Sequence, residues 1–182
     1  MKATGIVRRI DDLGRVVIPK EIRRTLRLRE GTPLEIFTDR EGEIILKKYS
    51  PMVELAAFAG QYAEAMSQAT GLIVCITDRD QVIAVSGGAR KELLQKAISQ
   101  SLERVINERQ TIQAGKDDKS FVRLIDEELE GITAQVVAPI ICEGDAIGAV
   151  AIMSREPRAR FGEMELKLAA TACGFLGRPM DS

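Results

Sequence analysis

The apolar positions of this 182-residue chain fall into two regimes that meet near residue 50. Before that point they come in short bursts. Ile6, Arg8 and Ile10 share one face of an alternating segment, and the turn signal Asp11-Asp12-Leu13-Gly14 separates it from a second burst, Arg15-Val16-Val17-Ile18. Both bursts read as short strands. Pro19 suits the first turn of a helix, where its missing N–H costs nothing, and the pattern predicts a helix from Lys20 to about Leu26. Leu34–Thr38 and Glu43–Lys48 read as a hairpin around Asp39-Arg40-Glu41-Gly42.

After Ser50-Pro51 the period becomes helical. Met52, Leu55, Ala56, Ala59, Tyr62, Ala63 and Met66 recur on one side, and Gly71 stands where a helix stop belongs. Strands are predicted at 72–77 and 82–86, and one or two amphipathic helices across 90–108. A polar loop at 109–119 leads to strands at 121–125, 132–141 and 146–153, and a last helix runs from about Gly162 to Phe175. Helices inserted into an antiparallel meander make an α+β sandwich. The expected division is therefore 1–50 and 51–182.

Charge separates the same two regions. The chain as a whole carries −1, but residues 1–50 hold 12 Lys+Arg against 8 Asp+Glu, and the remainder holds 14 against 19. A basic segment attached to an acidic one points to a polyanionic partner for the former. The absence of His removes the commonest general base and the commonest metal ligand, so no metal and no cofactor is expected. The three cysteines, Cys75, Cys142 and Cys173, are widely spaced and form no C-x-x-C pair; they read as reduced, apolar-like side chains. No run reaches the ~18 apolar residues of a membrane span, and no signal-peptide core is visible. The expected location is the cytoplasm, with no membrane partner.

Within the basic segment, Lys20, Arg23, Arg24 and Arg27 fall at i, i+3, i+4 and i+7, one stripe of a helix, with Ile22 and Leu26 on the other side to pack inward. Arg8, Arg9 and Arg15 flank the preceding turn. Arginine forks onto phosphate and guanine better than lysine does, and stacking aromatics are nearly absent here, which favours duplex DNA over single strands. Fifty residues with no disulfide or metal make a marginal core. They need either a second copy, giving an intertwined dimer, or the rest of the same chain.

The run Thr4-Gly5-Ile6-Val7-Arg8-Arg9, followed by Asp12-Leu13-Gly14-Arg15-Val16-Val17-Ile18-Pro19-Lys20-Glu21-Ile22-Arg23-Arg24-Thr25-Leu26 and later Leu46-Lys47-Lys48-Tyr49, resembles the AbrB-type swapped-hairpin DNA-binding domain. The resemblance implies a barrel made by two interlocked chains and DNA contacts from Arg8, Arg15, Arg23 and Arg24. Arg9 and Lys20 join this set on charge and spacing alone. Over its full length the chain resembles a family of sporulation regulators in which such a domain precedes a GAF domain, a sensor-type α+β fold. That resemblance implies activation and repression of genes in the developing spore. The resulting fold expectation is an N-terminal swapped-hairpin β-barrel for dimerisation and DNA binding, then a C-terminal GAF-like α+β sandwich.

A GAF-like sandwich usually has a pocket between its sheet and the overlying segments, here expected to involve Cys75, Thr77, Val85, Ser86 and the 109–120 loop, for an unidentified small-molecule effector. A purely structural or dimerising second domain is the alternative. Leu55, Phe58 and Tyr62 with Phe175 form a second apolar surface for self-association. The short, Pro-stiffened Tyr49-Ser50-Pro51 connection disfavours one partner for both surfaces, so a dimer of dimers, a homotetramer, is expected. No catalytic residue is assigned. Two other readings remain open: an antitoxin-type DNA-binding protein, and a GAF-type free methionine sulfoxide reductase.

Overall fold

The computed structural model describes residues 5–49 and 51–178, and for 51–55 and 57 the backbone alone. The chain divides into two compact units, Met1–Tyr49 and Ser50–Ser182.

In the first unit, α1 (Lys20–Thr25) is followed by β1 (Leu34–Thr38) and β2 (Ile44–Lys48). The two strands pair antiparallel with Leu34 opposite Lys48 and Thr38 opposite Ile44. At the hairpin turn the Asp39 carboxylate accepts the N–H groups of Glu41 and Glu43, both at 2.9 Å, an Asx-type closure. The carboxylates of Asp39, Glu41 and Glu43 converge there and are all exposed.

The two bursts read as strands at 6–10 and 15–18 form no regular strand here. They are joined by a tight turn in which the Asp11 N–H donates to the Arg15 carbonyl and the Gly14 N–H to the Asp11 carbonyl, each at 3.0 Å. Strand pairing needs a neighbour for every second N–H and C=O, and no regular ladder forms over these positions within the chain. All of their apolar side chains but Ile18 are exposed: Val7 is 84% exposed and Val17 69%. Leu26, expected to face inward, is likewise exposed, and only Ile22 of that pair is half-buried.

The second unit is a five-stranded antiparallel sheet in the order β4-β3-β7-β6-β5. Its strands are β3 (Ile73–Thr77), β4 (Val82–Ser86), β5 (Ile112–Gly115), β6 (Ala134–Cys142) and β7 (Asp145–Ser154). One face carries α2 (Pro51–Thr70) and α5 (Glu163–Leu176), burying Val74, Ile76, Val136 and Ile152 against Ala59, Ala63, Ala169 and Ala172. The other face carries α3 (Arg90–Leu93), α4 (Gln100–Glu108) and the segment 121–132, burying Cys75, Val137 and Met153 against Leu93, Leu102, Ile106 and Leu124. With both faces covered, the central strands are apolar throughout rather than alternating, which is why β3, β6 and β7 read as continuous apolar runs.

Residues 112–115, assigned to the polar loop, are the edge strand β5, paired with 134–137 of β6. An edge strand of four residues containing Gln113 and Gly115 carries little apolar signal. Residues 121–125, read as a strand, are irregular: Val122, Leu124 and Ile125 are buried, but their backbone is satisfied from outside any ladder. The Leu124 carbonyl accepts the Ser99 N–H at 2.9 Å, and the Ser99 hydroxyl donates to the Arg123 carbonyl while accepting the Leu102 N–H at the start of α4.

Candidate nucleic-acid interface

All six basic residues singled out from the sequence, Arg8, Arg9, Arg15, Lys20, Arg23 and Arg24, are exposed on the first unit. Lys20, Arg23 and Arg24 share α1, whose last turn carries both arginines, where positive charge complements the helix dipole. Among the described residues, the side chains of Arg8, Arg9, Lys20, Arg23 and Arg24 carry no ion pair. They remain available to a polyanion. The stripe does not extend to Arg27. The helix ends at Thr25, and Arg27 takes a left-handed backbone with φ 52 that turns the chain away from the helical path.

Arg15 differs from the others in having a partner. Its Nε donates to the Asp11 carboxylate at 2.9 Å, while the other carboxylate oxygen accepts the N–H groups of Arg15 and Leu13 at 2.8 and 3.0 Å. The backbone and side-chain bonds to Arg15 hold the Asp11 carboxyl below its ordinary value of 3.8. Sequence reasoning read Asp11 only as part of a turn signal. The i, i+4 spacing of Asp11 and Arg15 across a turn was the available sign of this bond.

In the second unit, a cavity of about 150 Å³ lies under the 116–132 segment, lined by Lys116, Phe121, Leu124, Leu129, Ile132 and Gln135 among others. None of Cys75, Thr77, Val85 and Ser86 lines it. Cys75 and Val85 are core residues, the Thr77 hydroxyl accepts the Ala149 N–H at 3.2 Å, and Ser86 is half-buried at the end of β4. Of the expected set only the loop, through Lys116, reaches the cavity. Its polar floor is Gln135, fully buried, whose amide donates to the Val122 carbonyl at 3.0 Å and accepts the Val122 N–H. A glutamine within the apolar run Ala134–Ile141 was the sequence signal for this position.

Burial pushes the thiols of Cys75 and Cys173 up to about 12 and raises that of Cys142 as well. All three are free. On the other face, Phe58 and Phe175 are about half exposed, and Tyr62 is half-buried against Phe175. The side chain of Leu55 lies outside the described residues. No helix among the described residues is long and apolar enough to cross a membrane.

Residues 54–181 match the family described as stage V sporulation protein T C-terminal, transcription factor, and residues 7–53 match the MazE family of bacterial antitoxins. The chain is 55% identical over 181 residues to stage V sporulation protein T of Bacillus subtilis, covering 100% of this chain and 99% of that protein. It is 65% identical over 51 residues to the transition state regulatory protein AbrB of the same organism, 28% of this chain and 52% of AbrB. Among solved structures, the GAF domain of an Acinetobacter phosphoenolpyruvate-protein phosphotransferase is similar at TM-score 0.52 and 15% identity, covering 72% of this chain and 82% of that one. The second unit thus has the GAF fold. With a family match across most of its length and a full-length relative at this identity, the chain belongs to the stage V sporulation protein T family of transcription factors.

Proposed function

We propose that this protein is a DNA-binding regulator of sporulation genes, acting as activator and repressor, whose N-terminal unit holds double-stranded DNA through Arg8, Arg9, Arg15, Lys20, Arg23 and Arg24. The observation that carries the reading is the 55% identity to stage V sporulation protein T along the whole chain. The exposure of all six basic side chains supports it. The uncovered Val7, Ile10, Val16 and Val17 support a second copy interlocked with the first, which would supply the missing strand neighbours and double the basic set. The arginines would position the duplex by its phosphates and read guanine edges with their paired N–H groups.

The C-terminal unit, in this reading, joins such dimers into a tetramer through Leu55, Phe58, Tyr62 and Phe175 and offers the cavity beneath residues 116–132 to a small effector. A regulator acting in the cytoplasm and without enzymatic activity fits the protonated thiols, since thiol chemistry needs the thiolate. An antitoxin reading is favoured only by the match at 7–53, whereas 54–181 match the sporulation family.

The test is the salt dependence of binding by the full-length chain to a random-sequence duplex. With about 6 to 8 phosphate contacts per dimer, a plot of log affinity against log salt should fall with a slope of about −5 to −7. A slope near zero, or no binding at low salt, refutes the proposal.

A further inference from the structure

We infer that Asp11 is a positioning residue for Arg15, holding its guanidinium by Nε so that the Nη1–Nη2 edge is the one presented to DNA. The inference rests on the reading of Arg15 as a DNA contact. A turn of this kind needs only one acceptor oxygen, and Oδ1 fills that role by taking the N–H groups of Leu13 and Arg15. Oδ2 is spent on the Arg15 Nε at 2.9 Å. One carboxylate therefore fixes both the backbone of Arg15 and the direction of its side chain.

Of the five N–H donors of a guanidinium, the four on Nη1 and Nη2 remain, and they form the end-on fork that matches guanine O6/N7 or two phosphate oxygens. On charge alone the arrangement is counterproductive, because an exposed carboxylate beside a cation weakens its attraction for phosphate. Orientation accounts for what charge does not. A charge-only role and a positioning role then predict opposite signs for removal of the carboxylate.

The test uses the full chain and two probes: a random-sequence 30-bp duplex pool, and the duplexes that the parent protein enriches from that pool. Asp11→Asn keeps an acceptor for the turn and removes one negative charge per chain. It should bind the enriched duplexes about tenfold more weakly than the parent and the random pool equally or more tightly. In an Arg15→Ala background the same change should cost no further discrimination. Asp11→Asn chains that bind enriched duplexes as well as the parent, or that lose as much in the Arg15→Ala background, overturn the inference. An Arg15→Ala chain with parental affinity for both probes overturns it by removing Arg15 from the interface, and a parent that binds neither probe removes the DNA-binding reading itself. A measurement on the parent covers the case of an unfolded variant. The Arg15 Nε–H signal in nitrogen-15 NMR should shift as Asp11 is protonated at pH below 3.8, and a signal that does not follow that titration overturns the inference.

Discussion

Tyr62 of α2 and Phe175 of α5 stack with ring centroids 5.3 Å apart and planes 15° from parallel. The pair ties together the two helices that cover one face of the sheet. With Phe58 one turn before Tyr62, it leaves an apolar strip on their outer side. Aromatic rings of this size dominate the energetics of interfaces when a partner covers them.

Phe58→Asp and Phe175→Asp should each halve the assembly. Sedimentation equilibrium of the parent at micromolar concentration should return a mass of four subunits, and of either variant two. The variants should still bind duplex DNA, more weakly, because one barrel replaces two linked ones. A parent mass of two subunits that does not change with concentration would refute the tetramer.

Arg8→Ala, Arg15→Ala, Arg23→Ala and Arg24→Ala should each weaken duplex binding and flatten the salt slope by about 1 to 2, one contact from each chain of a dimer. Thermal melting should change little, since all four side chains are exposed and the one ion pair lost, Arg15–Asp11, lies at the surface. A variant that melts early while its DNA binding per folded molecule is intact would show a structural role at that position.

The exposure of Lys20, Arg23 and Arg24 was legible in the sequence because their i, i+3, i+4 spacing places them on one side of α1, but the same spacing overreached at Arg27, since the helix ends at Thr25. The elements of the second unit were legible wherever apolar content and length agreed, as in β6, β7 and α5. Two places misled. Residues 121–125 are apolar because they are buried, not because they pair, and their backbone bonds come from Ser99 and Gln135, which are distant in sequence. Residues 112–115 pair although they are polar, because an edge strand needs only its inner side covered. The cavity was misplaced for a related reason: Cys75 and Val85 do face the covered side of the sheet, but α3 and α4 fill the space over them.

Gly148 sits in β7 where a side-chain carbon would fall on the backbone carbonyl of Thr77. Gly148→Ala should therefore force β3 and β7 apart and cost about 2–4 kcal/mol of stability. A lower urea midpoint with an unchanged slope would record it. An unchanged midpoint would mean that the strand ends yield without loss.

The thiols of Cys75 and Cys173 are raised from an ordinary 9.0 to about 12. The folded chain therefore keeps protons that the unfolded chain releases. The stability this represents is complete below pH 9 and is lost as pH rises from 9 toward 12. Urea unfolding at pH 8 and pH 10.5 should show the fall, and Cys75→Ala should reduce it. Tyr62, also raised by burial, contributes in the same direction above its ordinary 10.0. In the folded protein at pH 8, Cys142 should be modified by a thiol reagent well before the other two. Equal rates for all three would contradict the burial argument.

The Ser99 hydroxyl has three partners: it accepts the Leu102 N–H in the first turn of α4, lies 2.8 Å from the Ser101 hydroxyl, and donates to the Arg123 carbonyl on the segment that roofs the cavity. An oxygen with a single hydrogen behaves here as a latch between a roof and a helix start. The start of α4 and the roof at Arg123 thus hang on one side-chain oxygen, and a chain without that hydroxyl would lose both ties together.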